Sequence, residues 1–466
     1  MDHCDMRIIP QPITAIVYAA FFAALTSAIA SPAYASMPTV LVASPSPQPT
    51  PKTERSNLHV QVTNTQLYHG AFPATYSGAQ SLSAYPDTAK TFDATAFLGF
   101  RLWKGAAGYI NPEVDQGFGL DNTFGVAGYI SGEAYKVGEP RIYGRLQRYY
   151  LTQTFNYGGS NQPVSSDQNQ LASSIDAKHL TVYFGKFSVV DLFDNNPYAH
   201  DPKNDFLNWS IIDLGAFDYA ADAWGYTRGL AAEFAGTHST VRAGVFQLST
   251  MPNTTSVSSQ FLRQYSPVLE FEQRTSLFGG HPGAIKALVY GDDAYMGSYA
   301  DALAAATGTG MPPNTANVRT AKHWKLGGGI NMYQEIATHV GVFARLSAMN
   351  GSYEAFDFTE IDRSFSAGVS IDGAIFHRPN DAIGIAGAIN ALSTPAQNYF
   401  TAGGLGILIG DGGLAYGNER IFESYYKLGV AKNSAITLDY QRITHPAYNT
   451  ARGPVSIYGL RYHVQL

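Results

Sequence analysis

Apolar and polar residues alternate along most of this chain. Phe92, Ala94, Ala96, Leu98, Phe100 and Leu102 share one face of a stretch whose other face carries Asp93, Thr95, Gly99 and Arg101. Val340, Val342, Ala344 and Leu346 alternate with His339, Gly341, Phe343 and Arg345. Phe365 to Asp372 and Ile436 to Gln441 repeat the pattern. A period of two is the signature of a β-strand with one dry and one wet side. No stretch sustains a helical period, so the expected class is all-β.

A soluble sandwich also alternates, and three features favour a membrane barrel instead. The strands run about 9–12 residues, near the roughly 9–11 that cross a bilayer at a tilt. Aromatic residues gather where an interfacial girdle is expected, at Trp103, Tyr149-Tyr150 and Tyr425-Tyr426. The wet face mixes charges with glycine, as a water-filled lumen allows. The last residues, Ser456 to Leu466, form one more strand, with Tyr458, Leu460, Tyr462, Val464 and Leu466 facing one way. A barrel must close on such a strand, because lipid tolerates no free edge. The length accommodates about 16 strands, a size that leaves an aqueous channel rather than a filled interior.

Composition sharpens this. Charged residues make up 14% of the chain, with 46 Gly, 30 Tyr and 26 Phe, against roughly 25% charged residues in ordinary soluble proteins. The formal net charge of −6 offers no basic surface to hold nucleic acid. Residues 1–35 read as a signal peptide, with an apolar run from Ile13 to Ala30 and an A-x-A site at Ala33-Tyr34-Ala35. An N-terminal membrane anchor is the alternative, because Asp2 and Asp5 offset Arg7. Cys4, the one cysteine, would leave with the signal, which excludes disulfide scaffolds and cysteine metal sites. Residues 36–57, rich in Pro, Ser and Thr, read as a disordered lead-in, and 58–466 as the barrel.

Several blocks resemble the carbohydrate-selective porins of the OprB family. They are TFDATAFLGFRLW (91–103), NPEVDQGFGLDNTFGVAGYISGEAYKVG (111–138), GKFSVVDLFDNNPYAHDPKNDFLNW (185–209) running on through SIIDLGAFDYAADAWGYTRG (210–229), and the closing DYQRITHPAYNTARGPVSIYGLRYHVQL (439–466). The resemblance implies a 16-stranded channel of the Gram-negative outer membrane, monomeric or trimeric, through which small sugars diffuse passively. It also implies a constriction lined by arginine and acidic residues.

Residues of lumen parity are Asp93, Arg101, Arg242, Glu270, Glu272, Arg274, Glu335, Arg345, Asp439 and Arg461. Each is a candidate for hydrogen-bonding a passing hydroxyl or simply part of a wetted wall. Glu270 to Arg274 is the densest charged face, suited either to a salt-bridged wall or to the narrowest ring of the pore. Pro112 and Gly117 break the alternation, so Glu113 and Asp115 are expected in a turn or an inward-folded loop. Asp191, Asp194, Asp201 and Asp205 belong to a second candidate constriction loop. Asp213, Asp218 and Asp222, beside Trp209, Phe217, Tyr219 and Trp224, suit either sugar stacking or loop folding.

Other chemistry is weakly supported. The Asp194 region lacks the spacing of an EF-hand, leaving only a looser oxygen-ligand calcium site, and no metal or cofactor is expected. His200-Asp201 beside Ser188 or Ser210 could be drawn as a catalytic pair, but neither G-x-S-x-G nor H-E-x-x-H occurs, so an enzyme is not expected. A polysaccharide-export barrel would call for a lumen of one strong sign, and the signs here are mixed.

Overall fold

The computed structural model describes residues 53–134, 137–260, 262–358 and 360–466. The expected signal peptide and nearly all of the lead-in lie outside the described residues. Sixteen strands form one closed antiparallel barrel. The first eight are β1 (Ser56–His69), β2 (Asp87–Trp103), β3 (Ala106–Gly117), β4 (Tyr143–Val164), β5 (Ser173–Phe187), β6 (Thr227–Ala235), β7 (Ser239–Gln247) and β8 (Tyr265–Leu277). The rest are β9 (His281–Tyr295), β10 (Lys322–Ala337), β11 (Val340–Met349), β12 (Arg363–Asp372), β13 (Ala382–Ala391), β14 (Glu419–Ala431), β15 (Ser434–Thr444) and β16 (Val455–Gln465). The first strand begins at Ser56, two residues before the expected start of the barrel.

Closure is made by β1 against β16, in a register that pairs Val62 with Val464 and Tyr68 with Tyr458. With both neighbours present, every strand satisfies its ladder, the condition for a sheet to live in lipid. The outward face is apolar: Leu346, Phe365, Leu438, Tyr458, Leu460 and Tyr462 are all exposed. In water such a band would be an aggregation surface, and against acyl chains it is the stable arrangement. The adjacent aromatics divide between faces, as a two-residue period demands. Tyr426 and Trp103 alternate outward, whereas Tyr150 and Tyr425 turn inward onto other rings.

The two rims differ. At one end the strands are joined by tight turns such as Lys104-Gly105, where Gly105 has a φ of 79° and an added Cβ would lie 2.3 Å from Thr154 O. At the other end the connections are long, above all residues 118–142, 188–226, 296–321 and 392–418. The connection 296–321 begins with a helix, Tyr299–Ala306, capped by Ser298.

The 188–226 connection turns into the barrel, and every residue from Phe206 to Ala223 is buried. Its α-helical turn, α1 (Trp209–Ile212), is capped by Asn208, whose side chain accepts from Ser210 N at 3.1 Å. A second segment, residues 118–134, folds in beside it and is tied to it by Trp209 N–H to Tyr129 O at 3.1 Å and Gly132 N–H to Leu207 O at 2.8 Å. The apolar core of this protein therefore lies inside the barrel, built from Phe206, Trp209, Ile211, Phe217 and Tyr219 of the connection against inward wall residues such as Phe343 and Tyr290.

One expectation about position is corrected. Glu113 and Asp115 sit within β3, facing the lumen, rather than in a turn or loop. Pro112 does not end the strand, because the β3–β4 ladder is bulged there. Asn111 pairs with Arg148 and Pro112 with Leu146, leaving Gln147 as the extra residue. A bulge is one of the few places within a sheet where proline's missing N–H is tolerated.

Candidate functional site

A loop inside a barrel carries backbone groups that no ladder satisfies, and each must find a partner or cost about 1–3 kcal/mol. The charged residues of the wall supply those partners. Glu270 accepts from Asp194 N at 2.7 Å, and Lys286 donates to Asn195 O. Arg345 donates to Ala199 O (2.7 Å), Ile211 O (2.8 Å) and the Asp194 carboxylate (3.2 Å). Arg461 donates to the carbonyls of Pro202 and Asp205. Glu423 receives Leu207 and Asn208 N–H, and Glu419 receives Ala127 and Gly128 N–H.

This arrangement divides the residues of lumen parity. Arg345, Arg461, Asp439 and Glu270 face inward but are covered by the connection, each at most 5% exposed. The Glu270–Arg274 face is a sealed network in which Arg242 holds Glu233 (2.6 Å), Glu270 (2.7 Å) and Glu272 (2.8 Å). Arg274 binds Thr240 Oγ1 and the Gly236 carbonyl near the tight-turn rim. Arg101 also lies towards that rim, donating to Glu54 O at 2.9 Å. Glu335 lines a wide cavity of about 860 Å3 at the same end, with His59, Tyr198, Asp205, His339, Lys427 and His463.

Free space at mid-barrel is a cavity of about 360 Å3 on the β1–β4 side. Gln61, Phe97, Glu113 and Arg148 line it from the strands; Tyr129 and Glu133 line it from the 118–134 segment. The 188–226 connection contributes Asp191, His200, Asp201, Lys203, Trp209, Tyr219, Trp224 and Tyr226. A third cavity, about 350 Å3 and lined by Gln80, Phe124, Asn253, Arg319, Glu354 and Glu360, opens among the long loops. Residues 200–203 line the central cavity and Asn204-Asp205 the wide one. The short segment His200–Asp205 thus borders both cavities.

The central cavity has two kinds of wall. One is aromatic: Trp209 stacks on Phe358 with centroids 4.8 Å apart and planes 6° apart, and on Tyr129 at 5.1 Å and 19°. The other is ionic. Arg148 grips Asp191 bidentately (2.6 and 2.8 Å) and lies over the Tyr226 ring at 4.9 Å. Lys203 bridges Asp93 at 2.9 Å and Glu133 at 2.9–3.0 Å. On β3 beside it, Glu113 accepts from Thr95 Oγ1 (2.5 Å) and Asp115 pairs with Arg145 (2.9 Å). Flat apolar rings opposite paired charges suit a solute with apolar C–H faces and a rim of hydroxyls.

The Asp213, Asp218 and Asp222 block also divides. Asp218 binds Lys325 at 2.8 Å and caps the N–H groups of Phe356, Asp357 and Phe358, so it folds loops. Asp222 binds Lys186 and the Trp224 and Tyr226 N–H groups. Asp213 faces His200 Nδ1 at 3.2 Å. His200 Nε2 meets the Val190 carbonyl at 3.1 Å, so neither Asp201 nor a serine shares its proton.

Lys203, Arg148, Tyr129, Glu133 and Phe358 were not singled out from the sequence. Lys203 carried a signal, as the one cation within the acidic run from Asp191 to Asp205. Arg148 did not, because the bulge at Gln147 reverses the parity of the β4 residues that follow it, Arg148 first among them.

A sequence profile described as the carbohydrate-selective porin, OprB family, matches residues 79–466. A search of curated proteins found no match. Among solved structures, the high-pH structure of Pseudomonas putida OprB superposes with a TM-score of 0.64 at 15% identity, covering 88% of this chain and 94% of that one. The low-pH structure of the same protein gives 0.47 at 12% identity, covering 88% and 92%. Pseudomonas aeruginosa OccK2 gives 0.44 at 9% identity, covering 88% and 97%.

Proposed function

Because the chain belongs to the OprB family of carbohydrate-selective porins, and is therefore an outer-membrane channel for the diffusion of small solutes, we propose that the central cavity is where a sugar is recognised in transit. The observation that carries this is the coincidence, around the central cavity, of the Tyr129–Trp209–Phe358 stack with the Arg148–Asp191 and Lys203–Asp93–Glu133 pairs. A sugar ring sets its C–H groups against the cavity-facing edges of this aromatic wall while its hydroxyls exchange hydrogen bonds with Asp191, Glu113, Lys203 and Asp201. The groups are already paired with one another, so a hydroxyl replaces one bond by another of similar strength. Binding stays weak, which conduction requires. A volume of about 360 Å3 lies at the small end of ligand cavities, roughly 300–1,000 Å3, and suits one or two sugar rings rather than a polymer.

The family is one of channels rather than enzymes. Residues 1–35 act as the export signal, and the barrel is inserted as a monomer or homotrimer with the apolar outer band in lipid.

Trp209→Ala tests the recognition step. An aromatic contact is worth about 0.5–1.5 kcal/mol beyond its area, so sugar-induced current noise in planar bilayers should need a roughly 3–10-fold higher sugar concentration. Ion conductance should persist. Unchanged sugar affinity in this variant would remove Trp209 from the reading.

A further inference from the structure

At the long-loop rim, away from the solute path described above, three side chains converge from separate places in the chain. His69 ends β1, and its register partner Asp87 opens β2. Asp121 lies in the segment after β3, in a left-handed conformation with φ 46°. A ring nitrogen of His69 and one oxygen of each carboxylate all lie within 4.8 Å of one another.

The histidine is the informative member. Its side chain is completely buried, and its Nδ1 sits 2.9 Å from the Gly70 carbonyl. A carbonyl only accepts, so Nδ1 carries a proton, and in the neutral ring Nε2 presents a bare lone pair. That Nε2 has no hydrogen-bond partner among the described residues and points towards Asp121 Oδ2 at 4.0 Å. This is too long for a hydrogen bond. A neutral imidazole fixed by a carbonyl on its far nitrogen is the usual state of a metal-bound histidine.

The carboxylates are held in a similar way, with Asp121 Oδ2 accepting from Ser83 N at 2.6 Å and Asp87 Oδ2 from Asp121 N at 3.2 Å. Both are only partly buried, so the group is reachable from outside. The nearby cation, Arg452, donates to Tyr76 O, Ser77 Oγ and Leu82 O and has Asp411 as its ion partner at 4.0 Å.

We propose that His69, Asp87 and Asp121 form a binding site for a divalent cation of the zinc type. Two carboxylates neutralise the double charge, the imidazole selects a borderline metal over Ca²⁺, and one position remains for water. Metal–ligand bonds of about 2.1 Å place donor atoms ~3.4 Å apart, so the carboxylates close in by about 1 Å on binding. The bound ion joins the β1–β2 hairpin to the root of the 118–134 segment, which carries Tyr129 and Glu133 into the channel.

The test is equilibrium dialysis of the tag-free, full-length porin in detergent against Zn²⁺, with metal counted by elemental analysis. One zinc per chain is expected, with His69→Gln and Asp121→Asn each weakening binding by at least about a hundredfold, more than loss of a second-shell partner costs. A tenfold excess of Ca²⁺ should not displace the zinc. Each variant is checked as a heat-modifiable barrel on electrophoresis. If either fails to fold, Co²⁺ bound to the wild type serves instead, with visible bands of a nitrogen–oxygen site of low coordination expected. Absence of zinc binding, equal binding by folded variants, displacement by Ca²⁺, or a Co²⁺ spectrum identical to the aquo ion would each overturn the proposal.

Discussion

Arg345 offers the most discriminating perturbation of the pore. If it lined the channel, replacing it would alter ion selectivity and leave the bore alone. It instead donates to Ala199 O, Ile211 O and the Asp194 carboxylate from a position 2% exposed, so its role is to hold the connection against the wall. Arg345→Met keeps the length of the side chain but strands those acceptors and leaves the buried Asp194 without its cation. Breaking one partner of a buried pair costs about 3–5 kcal/mol. At 1.4 kcal/mol per tenfold, the docking equilibrium of the 188–226 connection shifts by a factor of roughly 10² to 4 × 10³ towards release. Phe206, Trp209 and Ile211 still favour the docked state, and Glu270, Glu423 and Arg461 still bind the backbone. The expected result in single-channel recording is therefore intermittent excursions to a larger conductance, made more frequent by adding Arg461→Met. Heat-modifiable migration should show an intact barrel. A change confined to selectivity, with a steady wild-type conductance in the double variant, would refute the assignment of these arginines as fasteners.

Lys203→Gln removes the cation between Asp93 and Glu133, and the reversal potential in a salt gradient should move towards cation preference. Burial pushes the Glu360 carboxyl up to about 7, against the pull of the Ile407 and Leu408 N–H groups. As pH rises through 7 it loses its proton and the loop-end cavity gains negative charge. Cation preference should therefore increase between pH 6 and 8, and Glu360→Gln should flatten that rise. Leu438→Arg places a charge on the outward face and should cost about 2–4 kcal/mol near the bilayer midplane, read as a lower denaturant midpoint for the barrel in lipid.

Most of the architecture was legible along the chain. A two-residue period is a local property, set by which side of a strand meets lipid, so counting positions from Phe92 or Val340 assigns faces without knowing any neighbour. The need for a barrel to close turned the final strand, Ser456 to Leu466, into evidence for β16 pairing with β1. The blocks around 185–229 and 439–466 pointed to the family. Parity failed only where the ladder itself is irregular. Pro112 looked like a strand end because the bulge that accommodates it is formed with β4, and the same bulge hid Arg148.

What the inward residues do was decided by tertiary structure. Asp93, Arg345 and Arg461 share one signature in the sequence, a charge at an inward position. Their environments diverge because one long connection lays its backbone carbonyls on Arg345 and Arg461 but meets Asp93 through the Lys203 side chain. Backbone groups of that connection needed partners, and the nearest wall charges were drawn into supplying them. The stretch from Asp191 to Asp205 reads in isolation as a run of turn-forming acids and amides. Only its path through the lumen sets it along both cavities, since which wall a loop docks against depends on contacts more than a hundred residues away.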